Sequence, residues 1–236
     1  PDPKQTAAWN RGAYLVEGLG HCSECHSPRN LLGGIEQKKA FTGADIDGWF
    51  ALNLTSNLKI GLGSWSVDDI ATYLKTGADK SKSTSLGPMS EVVHNSLSFM
   101  TDDDLQAMAE YLKALPASSA MSPDHQPDKT LAAGATTYVD NCSACHQAQG
   151  SGIPGVFPAL AGNGVVLAAD ANDILKVVLF GIPVQDGYIA MPGFGDKLSD
   201  QQIADLANYL RSSWGNGAAV NATAAQVAAL RKLPVE

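Results

Sequence analysis

The sequence predicts an all-α chain of two tandem helical domains joined by a linker. Three observations carry that expectation. A five-residue string, Cys-x-x-Cys-His, occurs once in each half. Two helical patterns follow each copy. A low-complexity stretch bearing prolines separates the halves. Self-similarity on this scale marks a duplicated unit, and the helices are read from apolar periodicity between capping residues.

In the first half, S-V-D-D-I-A-T-Y-L-K-T-G sets Ser66 and Asp69 as a capping box, starts a helix at Val67 and stops it at Gly77. Such a box satisfies two orphan N–H groups reciprocally, and a glycine accepts the left-handed turn that ends a helix. The second half repeats the pattern as D-A-N-D-I-L-K-V-V-L-F-G, with Asp170 as cap and Gly181 as stop. Further on, M-T-D-D-D-L-Q-A-M-A-E-Y-L matches L-S-D-Q-Q-I-A-D-L-A-N-Y-L. Thr101 there pairs with Ser199 as N-cap and Tyr111 with Tyr209, so each half ends in a similar amphipathic helix. The expected domains are residues 1–115 and 129–215, with a linker at 116–128 (PASSAMSPDHQPD) and an alanine-rich tail at 216–236. A short helix is expected near Ala222 to Leu230. Asn221-Ala222-Thr223 fits a glycosylation pattern and is read as chance.

A length of 236 residues suits two small domains, and 44% hydrophobic residues can supply two cores. The net charge of -8 excludes ordinary nucleic-acid binding, which needs clustered Lys and Arg. Acidity gives solubility, or a handle for a basic partner. No apolar run reaches the roughly 18 residues of a membrane span, and Ile174 to Val184 is broken by Lys176, Gly181 and Pro183. The N-terminus, PDPKQTAAW, has no signal-peptide pattern, so any export signal is expected to have been removed or to lie outside this sequence.

The four cysteines form two tight pairs, Cys22 with Cys25 and Cys142 with Cys145, each followed at once by histidine, His26 and His146. This string reads as c-type haem attachment. Two thiols three positions apart on a helical turn can add to the two vinyl groups of one porphyrin while the adjacent imidazole reaches the iron. Structural zinc would need four converging ligands, and here most of a domain separates the pairs. A thioredoxin-like pair would sit in a βαβ pattern, which neither copy has. Two covalently bound haem c groups are therefore expected.

A second axial ligand is sought among Met89, Met100, Met108, Met121 and Met191. Met191, in Ala-Met-Pro-Gly-Phe, lies ten residues after Gly181, and Met89, in Gly-Pro-Met-Ser, lies twelve after Gly77. The repeat thus selects Met89 and Met191 in corresponding loops. Met100 aligns with Leu198 before the N-cap, where an apolar residue acts as a staple. Met108 faces the core, and Met121 falls in the linker. His94 is a competing loop ligand for the first iron, and His21 and His125 are read as surface residues.

These residues together resemble class I cytochromes c. In the second half Gly134 and Tyr138 lie eight and four residues before Cys142, and Pro158-Ala159-Leu160 begins twelve after His146. The resemblance implies that this glycine lets the first and last helices cross closely, and that the Pro158 carbonyl accepts from the ligating imidazole. In the first half Gly12 lies ten before Cys22 and SPRNLLGG offers no proline at that spacing, so Pro28 is the nearest acceptor. More narrowly, CSECHSPRNLLGG, LTSNLKIGLGSWSVDDIATYLKTG, GPMSEVVHNS and GIPGVFPALAGNGVV through YLRSSWGN resemble the multihaem cytochrome c subunits and partners of periplasmic dehydrogenases. Those enzymes oxidise alcohols, aldehydes or sugar acids, or contain molybdenum.

Histidine and methionine at both irons would close the coordination sphere and raise the potential, as suits an electron relay rather than an enzyme. The expected partners are a donor dehydrogenase and an acceptor oxidase, quinone or cytochrome, and the expected compartment is the periplasm. Two other readings differ in partner or class: a c4-like dihaem shuttle to a terminal oxidase, and a dihaem peroxidase or thiosulfate-oxidising enzyme with one open iron.

Overall fold

The computed structural model describes residues 1–79, 82–119, 131–184 and 188–233. The chain divides into two compact units, one up to Met121 and the other from Ser122. Met121 and His125 lie outside the described residues, as does most of the predicted linker.

In the first unit, α1 (Ala7–Ala13) starts at Thr6, whose side chain accepts from the Trp9 N–H. The chain then widens into a π-helix over Tyr14–Leu19, leading to the single turn α2 (Ser23–His26). A hairpin follows, β1 (Ala44–Ile46) paired antiparallel with β2 (Trp49–Ala51). Next come α3 (Val67–Thr76), α4 (Pro88–Asn95) and α5 (Asp102–Lys113). The Ser66/Asp69 capping box forms, and Gly77 ends α3 at φ 78°. Thr101 caps α5 through the Asp104 N–H.

The core of this unit is built from Leu15, Val16, Ile70, Leu74, Val93, Leu105, Met108 and Leu112. Burying one such leucine contributes about 1.5–3 kcal/mol relative to exposure. Met108 is a core residue, as its helical position predicts. Met100 is half-buried against the same core, consistent with a staple.

In the second unit, α6 (Ala132–Asn141) runs directly into the turn α7 (Ser143–His146). The short α8 (Gly164–Leu167) and α9 (Asn172–Phe180) follow. A two-residue ladder of β3 (Gly181–Ile182) and β4 (Met191–Pro192) precedes α10 (Asp200–Ser212) and α11 (Ala224–Leu230). Ser199 and Gln202 form a capping box at α10. Asp170 stands one place outside the N-cap Ala171, and its carboxylate accepts from the Asn172 N–H at 2.5 Å. The tail is part of this unit. Thr223 and Gln226 box α11, which packs on α9 and α10, and Arg231 pairs with Asp200 at 2.8 Å.

The architecture is helix-rich, but the hairpin and the small ladder are strands that an all-α expectation omits. No helix among the described residues is long and apolar enough to cross a membrane.

The first and last long helices of each unit meet at a glycine. A Cβ on Gly134 would lie 2.2 Å from the Asp205 carbonyl oxygen; on Gly12 it would lie 1.9 Å from that of Ala107. Tyr209 and Tyr111 flank the two contacts. The crossing is therefore the same in both units, although Gly12 is two positions further from its cysteine pair. The π-helix takes up that difference: the Gly20 N–H reaches back to the Leu15 carbonyl, one residue wider than an α-turn, and the Cys22 N–H to that of Val16, two residues wider.

Candidate functional site

Each Cys-x-x-Cys-His string forms one helical turn, closed by the bond from the histidine N–H to the first cysteine carbonyl: 3.0 Å from His26 to Cys22 and 2.9 Å from His146 to Cys142. The first cysteine of each pair is half-buried and the second exposed. Burial pushes the thiols of Cys22 and Cys142 up to about 11. A reactive redox thiol needs the opposite shift, since the thiolate is the nucleophile. Among the described residues no three His, Cys, Asp or Glu side chains converge as a metal-binding group. The thioredoxin-like reading does not find the environment it requires.

Both imidazoles are oriented by a backbone carbonyl. His146 Nδ1–H donates to the Pro158 oxygen at 3.0 Å, as the resemblance to class I cytochromes c implies. His26 Nδ1–H donates to the Leu52 oxygen at 2.7 Å. This corrects the expectation of Pro28, whose carbonyl instead accepts from the Glu36 N–H at 2.8 Å. The reason is the inserted hairpin, because β2 ends at Ala51 and delivers the next carbonyl to the ring. Burial holds both imidazoles below their ordinary pKa, opposed by these hydrogen bonds. Each ring is thus neutral at pH 7, with its proton on Nδ1 and a lone pair on Nε2. That is the protonation state of a histidine poised to ligate a metal.

The fit to a haem c rests on this donor set: two thiols and one neutral imidazole on a single turn, with the imidazole aimed from behind. The second unit adds Phe157, whose ring centroid lies 6.5 Å from that of His146.

Met191 is half-buried on β4, paired with Ile182 beside the Gly181 stop. Two residues earlier, the Ile189 N–H donates to the Val156 carbonyl at 3.3 Å, tying this segment to the neighbour of Phe157. Met89 is half-buried against the first unit's core, as is Cys22. It differs from the expectation in one respect: it lies in the first turn of α4 rather than in a loop, because Pro88 starts a helix there. Just before it, Gly87 lies against the Trp49 indole of β2, the strand that leads to Leu52. His94 is likewise helical, in the last turn of α4; it is exposed, and its Nδ1 donates to the Ser90 carbonyl at 2.7 Å. His21 is exposed.

A family model described as "Cytochrome c" matches residues 131–214. The chain is 40% identical to the gluconate 2-dehydrogenase cytochrome c subunit of Pantoea cypripedii, over 98% of this chain and 58% of that protein. It is 42% identical to the alcohol dehydrogenase (quinone) cytochrome c subunit of Gluconobacter oxydans, over 94% of this chain and 51% of that protein. Cytochrome c-552 of Thermus thermophilus is 35% identical over 42% of this chain and 83% of its own length. The chain spans about half the length of the two dehydrogenase subunits it matches.

Proposed function

The chain belongs to the family of c-type cytochromes, and on that premise we propose that it is a dihaem electron carrier serving a periplasmic dehydrogenase. The observation behind the proposal is the duplicated construction of cysteine pair, adjoining histidine and carbonyl acceptor, once in each compact unit. In this reading the two units are tandem class I cytochrome c domains. Cys22 and Cys25 hold one haem c, and Cys142 and Cys145 the other. His26 and His146 would each offer an imidazole nitrogen to the iron of their unit, and Met89 and Met191 a thioether sulfur.

Haem c, when bound, supplies a one-electron iron couple. The chain's own residues set its terms. The carbonyls of Leu52 and Pro158 hold the Nδ1 protons, which fixes each ring and makes Nε2 a better donor. The thioethers of Met89 and Met191 would be the further groups holding the irons, and as weak, soft donors they would favour the ferrous state. Relatives named as cytochrome c subunits of gluconate and alcohol dehydrogenases match nearly the whole chain, which supports a dehydrogenase as donor. The acceptor class is an oxidase, a quinone-linked complex or another cytochrome.

Exposing the reduced protein to carbon monoxide at neutral pH tests the carrier reading. An unchanged spectrum is expected for closed irons. Uptake of one carbon monoxide per chain would favour an enzyme instead. Recovery of the coloured protein in a periplasmic fraction is expected, and cytosolic recovery would contradict the assignment of compartment.

A further inference from the structure

Near the end of the last long helix of the second unit, two buried polar residues grip one backbone segment. Arg211 is fully buried. Its Nη1 donates to the carbonyls of Val166 (3.1 Å) and Asp170 (3.2 Å), its Nη2 to Ala168 (2.9 Å), and its Nε to Ala219 (2.8 Å). Asn216, 1% exposed, donates from Nδ2 to Leu160 (3.2 Å) and Leu210 (2.7 Å), and its Oδ1 accepts from the Gly162 N–H at 2.7 Å. Most of these partners lie in the segment 158–170, which opens with Pro158, the acceptor of His146.

The first unit holds its corresponding segment with different residues, Lys113 and Ser118, which are half-buried. Lys113 Nζ donates to the carbonyls of Leu62 (3.2 Å), Gly63 (2.8 Å) and Trp65 (2.7 Å). The Ser118 N–H donates to Thr55 Oγ1 at 3.1 Å, its hydroxyl accepts from Asn53 Nδ2 at 3.0 Å, and its carbonyl accepts from Asn57 Nδ2 at 3.1 Å. Asn53 directly follows Leu52, the acceptor of His26. Lys113 and Arg211 are separated by the same offset as Tyr111 and Tyr209, and so are Ser118 and Asn216.

A buried polar group is costly unless its hydrogen bonds are made, so side chains placed among carbonyls constrain the path of that backbone. Among the described residues no buried side-chain nitrogen or oxygen lacks a partner. The two halves use unlike acceptors, a leucine after a hairpin and a proline in a loop. What they share is the grip on the segment that follows.

We propose that Arg211 with Asn216, and Lys113 with Ser118, are equivalent positioning pairs that fix the carbonyl acceptor of each ligating imidazole and so tune the donor strength of that ring. The proposal rests on His26 and His146 being iron ligands. None of the four residues need touch the iron; they act through the backbone.

The test uses the full dihaem chain, with each haem's potential resolved by spectroelectrochemical titration and assigned using a chain lacking Cys142 and Cys145. Asn216→Ala loosens the acceptor of His146, makes the ring a weaker donor and destabilises the ferric state. The potential of the haem at Cys142 and Cys145 should rise while the other stays. Ser118→Ala should raise only the potential of the haem at Cys22 and Cys25. Exchange of the His146 ring Nδ1–H, followed by NMR in the ferrous protein, should quicken in Asn216→Ala, a readout that loss of stability elsewhere does not move selectively. Both haems bound with wild-type potentials and wild-type exchange in both variants would overturn the proposal. A wild-type chain with no haem at Cys142 and Cys145 would overturn the ligation reading beneath it, and is seen before any variant is made.

Discussion

Replacing Gly134 by alanine should destabilise the second unit alone, and the size of the effect follows from the crossing of α6 and α10. The added Cβ would stand 2.2 Å from the Asp205 carbonyl oxygen, 2.7 Å from the Asp205 carbonyl carbon and 2.7 Å from Tyr209 Cβ. Ordinary carbon contacts lie at about 3.5–4.0 Å, so the helices must part by roughly 1 Å. Overpacking of this kind costs about 1–3 kcal/mol, and here the cost falls at the upper end because main chain cannot rotate aside. Alanine recovers about 1 kcal/mol of helix propensity. The net loss is about 2 kcal/mol, which lowers a urea midpoint by about 1 M at ordinary slopes. Two units need not unfold together, so hydrogen exchange should be followed unit by unit through the urea transition. Gly12→Ala should produce the mirror effect in the first unit. Gly18→Ala is the control, since its Cβ would meet only two Tyr14 ring carbons at 3.8 and 3.9 Å. A Gly134→Ala protein with an unchanged midpoint in its second unit would refute the crossing argument.

Other expectations follow from the proposed iron ligands and from a surface ion pair. Met89→Ala and Met191→Ala should each remove about half of the weak long-wavelength absorption of methionine-ligated ferric haem c, with Met100→Ala leaving it intact. Loss of half the band in Met100→Ala or His94→Ala, with none in Met89→Ala, would show the first-unit ligand to be misassigned. Arg11 bonds Asp104 through two nitrogens, at 2.7 and 2.8 Å, and holds its carboxyl below the ordinary range. A carboxylate with a depressed folded pKa contributes stability above its unfolded value, and that contribution is lost as pH falls through the folded value. Arg11→Gln should therefore lower the unfolding midpoint at neutral pH, with the difference from wild type shrinking below about pH 4. A difference that grew on acidification would refute this coupling.

Features encoded locally were legible in the sequence. The Ser66/Asp69 box, the Thr101 and Ser199 caps and the Gly77 and Gly181 stops depend on residues within one turn of each other, and all form. The acceptor of His146 was legible through the resemblance, because Pro158 stands twelve residues after it at the position the resemblance marks. That of His26 was not, because a hairpin brings Leu52 from 26 residues away and no side chain marks a carbonyl as special. The shift of Gly12 was visible, but its cause, a π-helix, has no sequence signature as strong as a cap. The repeat offset puts Met89 in a loop like that of Met191, whereas Pro88 is itself a helix-start signal and α4 begins there. Arg211 and Lys113 read as ordinary basic residues closing amphipathic helices. Only their shared offset in the repeat could have singled them out. The tail's Thr223/Gln226 box was likewise present to be read.

The most direct test of the central claim is the haem content of the purified chain by the pyridine haemochrome assay. Two haems per chain are expected, retained on denaturation because thioether bonds are covalent. The double variant Cys142→Ala, Cys145→Ala should hold one, and the corresponding change at Cys22 and Cys25 should also leave one. Zinc in place of haem, or a wild-type content of one haem per chain, would contradict the account.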